Sequence, residues 1–134
     1  MKIQKGSLAA FFVLLLGWGT TAYAGCTNEQ FAGTWDVAFS DGNVCNLIID
    51  SEGNVLTSSD NSLSTCFDPF RGTTAPDSGS VAVADECLAN IVLVVEGAEI
   101  QMGARIAKTR DIGAGIYVIP IVPVKGSFTM IRAK

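Results

Sequence analysis

The sequence predicts an all-β domain, a small antiparallel up-and-down barrel of about eight strands, with a β-sandwich as the alternative. Three observations predict it. Apolar side chains recur with period two in run after run, the pattern of strands that bury one face. Gly, Asn, Asp and Pro gather between those runs at turn-length spacing. Beyond residue 24 no segment shows the 3.6-residue stripe of an amphipathic helix.

Phe31, Gly33, Trp35, Val37 and Phe39 are expected on one face of a first strand, followed by a turn at Asp41-Gly42-Asn43. Cys45, Leu47 and Ile49 alternate next, and Asp50 to Asn54 reads as a second turn leading into Val55-Leu56-Thr57. Residues 58–80 are rich in Ser, Thr, Asp, Gly and Pro and read as one long loop around Cys66, the expected functional loop on length alone. Strands resume at 80–84 and 90–95, then at 99–108 after a Gly97-Ala98 turn, and at 113–119 and 124–133. Pro120 and Pro123 lack the N–H that a sheet ladder needs, so they mark a strand end or an edge.

The head of the chain carries a different message. Lys2 and Lys5 precede an apolar run from Leu8 to Trp18, and a small polar stretch then leads to Ala22-Tyr23-Ala24. A positive head, an apolar middle and an A-x-A exit are the parts of a secretory signal peptide, so residues 1–24 are expected to be removed and 25–134 to form one domain. An apolar core of about eleven residues is short against the ~20 that span a bilayer, and no stable transmembrane segment is expected. The protein is therefore expected in the periplasm or outside the cell. The alternative is a lipoprotein anchored through Cys26, because Tyr23-Ala24-Gly25-Cys26 ends like a lipoprotein box.

Cys26, Cys45, Cys66 and Cys87 form an even set that can close two disulfides in an oxidising compartment. Their wide spacing is unlike the close pairs of zinc sites or redox motifs. Three pairings are open, and Cys45–Cys66 with Cys26–Cys87 is the leading one: the first would brace a hairpin against the long loop, the second would tie the N-terminal arm to the body.

Charge and composition exclude several functions. Past residue 24 there are seven basic and thirteen acidic side chains, a net charge of −6, which argues against nucleic acid or anionic membrane as partner. Twelve of the acids lie before residue 101 and six of the bases after it, a segregation expected to draw the two halves together. The sequence holds no histidine, so imidazole metal sites, Ser-His-Asp and Cys-His nucleophiles and histidine-ligated haem are out of reach. Asp50, Glu52 and Asn54 have the oxygen spacing of a calcium loop but no closing acid, and a solvated turn explains them. Asp85 and Glu86 are adjacent, so on a strand they face opposite ways and make no acid–base pair. Gly113-Ala114-Gly115 lacks the helix and Lys of a phosphate loop. No catalytic residue, metal or cofactor is expected.

Phe31-Ala32-Gly33-Thr34-Trp35-Asp36-Val37 resembles the Gly-x-Trp opening strand of lipocalins and other calycin barrels, and Gly126 to Arg132 resembles their closing strand. The resemblance implies that Arg132 lies over Trp35 and plugs one end of the barrel. The order Gly-Thr-Trp, Cys45, hairpin, Cys66 is also similar to small periplasmic inhibitors of metalloproteases. The expected function is noncatalytic binding of another exported or envelope protein, a protease inhibitor being one form of it. The alternatives are a barrel that binds a small apolar ligand and an accessory subunit of an envelope assembly. Phe67, Phe70 and Arg71, an aromatic and arginine cluster in an otherwise polar stretch, are the expected partner contacts.

Overall fold

The computed structural model describes residues 26–57 and 64–133; the expected signal segment 1–24 and residues 58–63 lie outside the described residues. One nine-stranded antiparallel sheet curls into a half-barrel. Its strands are β1 (Gly33–Phe39), β2 (Val44–Ile49), β3 (Thr65–Asp68), β4 (Gly72–Thr74), β5 (Ser78–Ala84), β6 (Leu88–Val95), β7 (Ala98–Ile106), β8 (Ile112–Ile119) and β9 (Val124–Arg132). A four-residue helix, α1 (Asn28–Phe31), precedes them.

The order across the sheet is β4-β3-β2-β1-β9-β8-β7-β6-β5, so each strand pairs with its sequence neighbour and the first strand closes on the last. The inward face follows from the alternation that the sequence displays. Trp35, Val37 and Phe39 of β1 are buried, as are Cys45, Leu47 and Ile49 of β2, Ile91 and Leu93 of β6, and Phe128 and Met130 of β9. A one-residue slip of any of these strands would put its whole apolar set into water, which fixes the register.

Between β4 and β5 the ring is incomplete. At one end the gap is bridged by residues 53–55: Val55 pairs with Ile49 and Asn54 with Ser80. Gly79 allows that approach, since a Cβ there would lie 2.8 Å from Val55 and from Leu93. Where β3 ends short of Ile48, the buried Ser64 hydroxyl takes the Ile48 N–H at 2.9 Å and so replaces a strand residue. No comparable bridge joins the upper part of β4 to β5 among the described residues, and the barrel is open there.

Three sequence expectations are corrected. The nine strands agree with the expected count of about eight, but their places differ: Val55 makes an isolated bridge rather than a strand, β5 begins at Ser78, and 65–74 is a hairpin (β3–β4) and not loop. Its strands are only four and three residues long and mostly polar, too short to show alternation. Phe31 is not a strand residue: it ends α1, whose Thr27 cap and Gln30 form a reciprocal capping box. The β6–β7 turn falls on Glu96 and Gly97, both at positive φ, one residue earlier than expected.

Candidate functional site: the mouth of the half-barrel

The two ends of the sheet differ in kind. One is sealed. The Arg132 guanidinium lies 4.5 Å from the Trp35 ring centroid and donates to the Ala32, Gln30 and Arg110 carbonyls, while its Nε meets Asp111 at 3.3 Å. Phe31 stacks on the Trp35 ring, with centroids 4.8 Å apart, and accepts the Trp35 indole N–H on its carbonyl at 2.9 Å. Gly33 makes the arrangement possible, because its φ of 131° suits only glycine and a Cβ there would sit 2.7 Å from Arg132 Nη1. Asn28 stitches α1 across the seam, accepting from Val83 N–H and donating to the Glu52 carbonyl. Cys26 bonds Cys87 in the turn after β5, which ties the N-terminal arm to the body.

The other end, the mouth, is formed by the turns at 40–43, 69–71, 96–97 and 120–123. It holds a cup of about 280 Å³. The floor is apolar, with Phe39 and Tyr117 edge to face at 5.1 Å and Val95, Ile100 and Ile119 beside them. Cys45 bonds Cys66 across the β2–β3 pair and forms one wall. The β3–β4 hairpin leans over the cup and is held by Arg71, whose Nη1 meets Glu96 Oε2 on the β6–β7 turn at 2.9 Å. Pro69 of the same hairpin rests against the β1–β2 turn at Gly42.

Three carboxylates, Asp41, Asp68 and Glu96, line the cup against one guanidinium, Arg71. Asp41 is fully used in its turn, taking the Asn43 backbone and side-chain N–H groups. Among the described residues Asp68 caps the hairpin through Oδ1, accepting from Phe70 and Arg71 N–H, and Glu96 pairs through Oε2. Burial pushes the Tyr117 phenol above its ordinary pKa; a hydrogen bond with Ser40 opposes that shift and nearby Asp41 reinforces it.

The expected partner residues stand on this hairpin. Phe70 is 96% exposed at its tip, Phe67 of β3 is 49% exposed and lines the rim of the cup, and the Arg71 side chain is largely in water. Among the described residues none of the three belongs to the buried core. Ile121, 74% exposed, and Val122 add apolar surface on the β8–β9 turn at the same end. Sequence reading missed Phe39, Tyr117, Asp68 and Glu96 as cup residues, since only the closing of β1 on β9 and the lean of the hairpin bring them together. Asp50 is a turn residue: its Oδ1 accepts from Glu52 and Asn54 N–H, its Oδ2 from the Asn54 side chain, and the Asn54 backbone bond leads the causes that hold its carboxyl below the usual range.

The charge segregation is resolved differently from expectation. Of the ion pairs among the described residues, Arg105–Glu86 joins the two halves, whereas Arg71–Glu96 and Arg132–Asp111 each fall within one half. No described helix is long and apolar enough to cross a membrane. The two disulfides are of the sort that persists in exported proteins. Comparison with protein-family models, curated proteins and solved structures gave no match.

Proposed function

We propose that the chain is an exported, noncatalytic binding protein that docks another exported or envelope protein on the mouth of its half-barrel, with protease inhibition as one form of that activity. The observation that carries this reading is Phe70, a phenyl ring 96% exposed at the tip of a latched hairpin. Fully burying a side chain of this size is worth about 1.5–3 kcal/mol, a gain the isolated domain forgoes. Phe67 and Arg71 flank it, and aromatics with arginine are the usual anchors of protein interfaces. The calycin-like build is supported by the pairing of the first strand with the last and by Arg132 over Trp35.

The test replaces Phe67, Phe70 and Arg71 together by Ser, Ser and Ala. Binding to the exported partner, isolated by cross-linking in the native compartment, is expected to fall by more than about tenfold, since anchor residues each carry about 2 kcal/mol or more. The melting temperature is expected to stay within a few degrees. A large loss of stability with unchanged partner affinity would contradict the reading. A small apolar ligand in the cup is the second reading, favoured by the Phe39, Tyr117 and Ile100 floor.

A further inference from the structure

We infer that the cup receives a basic side chain of the partner protein, an arginine or lysine whose apolar stem lies on the floor and whose charged head meets Asp68 and Glu96. The inference rests on the docking reading and gives its chemistry. Size argues first. A cup of about 280 Å³ lies just under the ~300–1,000 Å³ of small-molecule sites, so it suits one long side chain and part of a neighbour better than a drug-sized ligand.

Charge argues second. Three carboxylates against one guanidinium leave the lining net negative, and two carboxylate oxygens, Asp68 Oδ2 and Glu96 Oε1, take no donor from the described residues. An acidic or purely apolar occupant would leave them unanswered. Lysine and arginine are the side chains that combine a long apolar stem with a cationic head, and the aromatic floor of Phe39 and Tyr117 is attractive to that head as well. Arg71 already shows the chemistry from within the chain, since it lines the cup and bonds Glu96.

Continuity argues third. The cup opens beneath the hairpin that carries Phe70, so an apolar residue beside the basic one would reach that ring in the same encounter. The predicted partner segment is therefore basic and apolar side by side.

The test uses four probe peptides, acetyl-Leu-X-Leu amide with X as arginine, citrulline, norleucine or glutamate, titrated into the millimolar range against the isotope-labelled domain of residues 25–134. Backbone and side-chain resonances of Tyr117, Ile100 and Glu96 report occupancy. The arginine peptide is expected to shift them with an affinity at least about tenfold above that of its neutral citrulline isostere, because charge-assisted hydrogen bonds are roughly twice as strong as neutral ones. The glutamate peptide is expected to leave them unmoved. The double variant D68N/E96Q is expected to erase the arginine preference; Asn at 68 keeps an oxygen for the hairpin cap, Gln at 96 keeps one for Arg71, and resonances of the free variant that match the parent outside the cup check that the hairpin stays in place. Equal affinity of norleucine and arginine, or no shift with any peptide, would overturn the inference. In either case retention of the Phe70-dependent partner contact would leave the docking reading standing, and its loss would remove both.

Discussion

Arg132 and Trp35 are cross-strand partners, one in the last strand and one in the first, and the guanidinium of the former lies 4.5 Å from the ring of the latter. The contact joins residues near the two ends of the described chain. The guanidinium also donates to three carbonyls, the half-buried one of Ala32 and the exposed ones of Gln30 and Arg110, and so ties the end of α1 to the turn before β8. Arg132→Ala is expected to destabilise the domain by about 1–3 kcal/mol, from lost stacking, lost stem packing and the one half-buried acceptor at Ala32. In a chain of residues 25–134 Trp35 is the one tryptophan, so its emission there reports the site directly. A red-shifted spectrum and a lower denaturation midpoint are expected; an unchanged spectrum would deny the plug its role.

The two disulfides differ in span, 61 residues for Cys26–Cys87 and 21 for Cys45–Cys66. On loop-closure entropy the first should contribute about 1 kcal/mol more than the second, each within about 2–4 kcal/mol. Calorimetry of the two Cys→Ala pair variants checks the order. A larger loss from Cys45–Cys66 would show that its value lies in holding the cup wall.

Glycines in neighbouring strands give opposite expectations. A Cβ at Gly115 would fall on the Gly103 carbonyl of β7, so Gly115→Ala should cost about 1–3 kcal/mol by forcing the β7–β8 pair apart. A Cβ at Gly103 meets nothing, and Gly103→Ala should be neutral or stabilise by about 0.5–1 kcal/mol. Chemical denaturation of the two variants checks the sign.

Two groups make the stability of the fold depend on pH. Asp50 has its carboxyl pKa lowered in the folded state by the Asn54 bonds, so its contribution is present above the unfolded carboxylate pKa and is lost as pH falls through the folded value. Tyr117 has its phenol pKa raised by burial, so its contribution is present below about pH 10 and is lost as pH rises and the unfolded chain ionises. Asp50→Asn should flatten the acid limb of a stability–pH curve, and Tyr117→Phe the alkaline limb. Curves that superimpose on the parent would contradict both assignments.

Much of this fold was legible because β1, β2, β7 and β9 each carry a clean alternation, which marks strands with one buried face though it suits a sandwich as well as a barrel. Trp35 and Arg132 were legible through the resemblance of the terminal strands. Thr27-Asn28-Glu29-Gln30 held a readable capping box, yet a four-residue helix leaves no 3.6-residue stripe and Phe31 was assigned to the strand. The β3–β4 hairpin was hidden for a different reason: its strands owe their place to β2 and the Cys45–Cys66 bond rather than to apolar pattern. The cup depends on residues from seven strands and three turns, and no local signal announces such a convergence.

The central claim is that the mouth, and not the sealed end, meets the partner. Photo-crosslinking in the native compartment tests it, with benzoyl-phenylalanine placed in turn at position 70 on the mouth hairpin and at position 108 on the turn beside the Arg132 plug. The account predicts one discrete cross-linked protein from position 70, lost when Ile121 and Val122 are both changed to Ser, and none from position 108. The same product from both positions, or a product from position 108 alone, would contradict it.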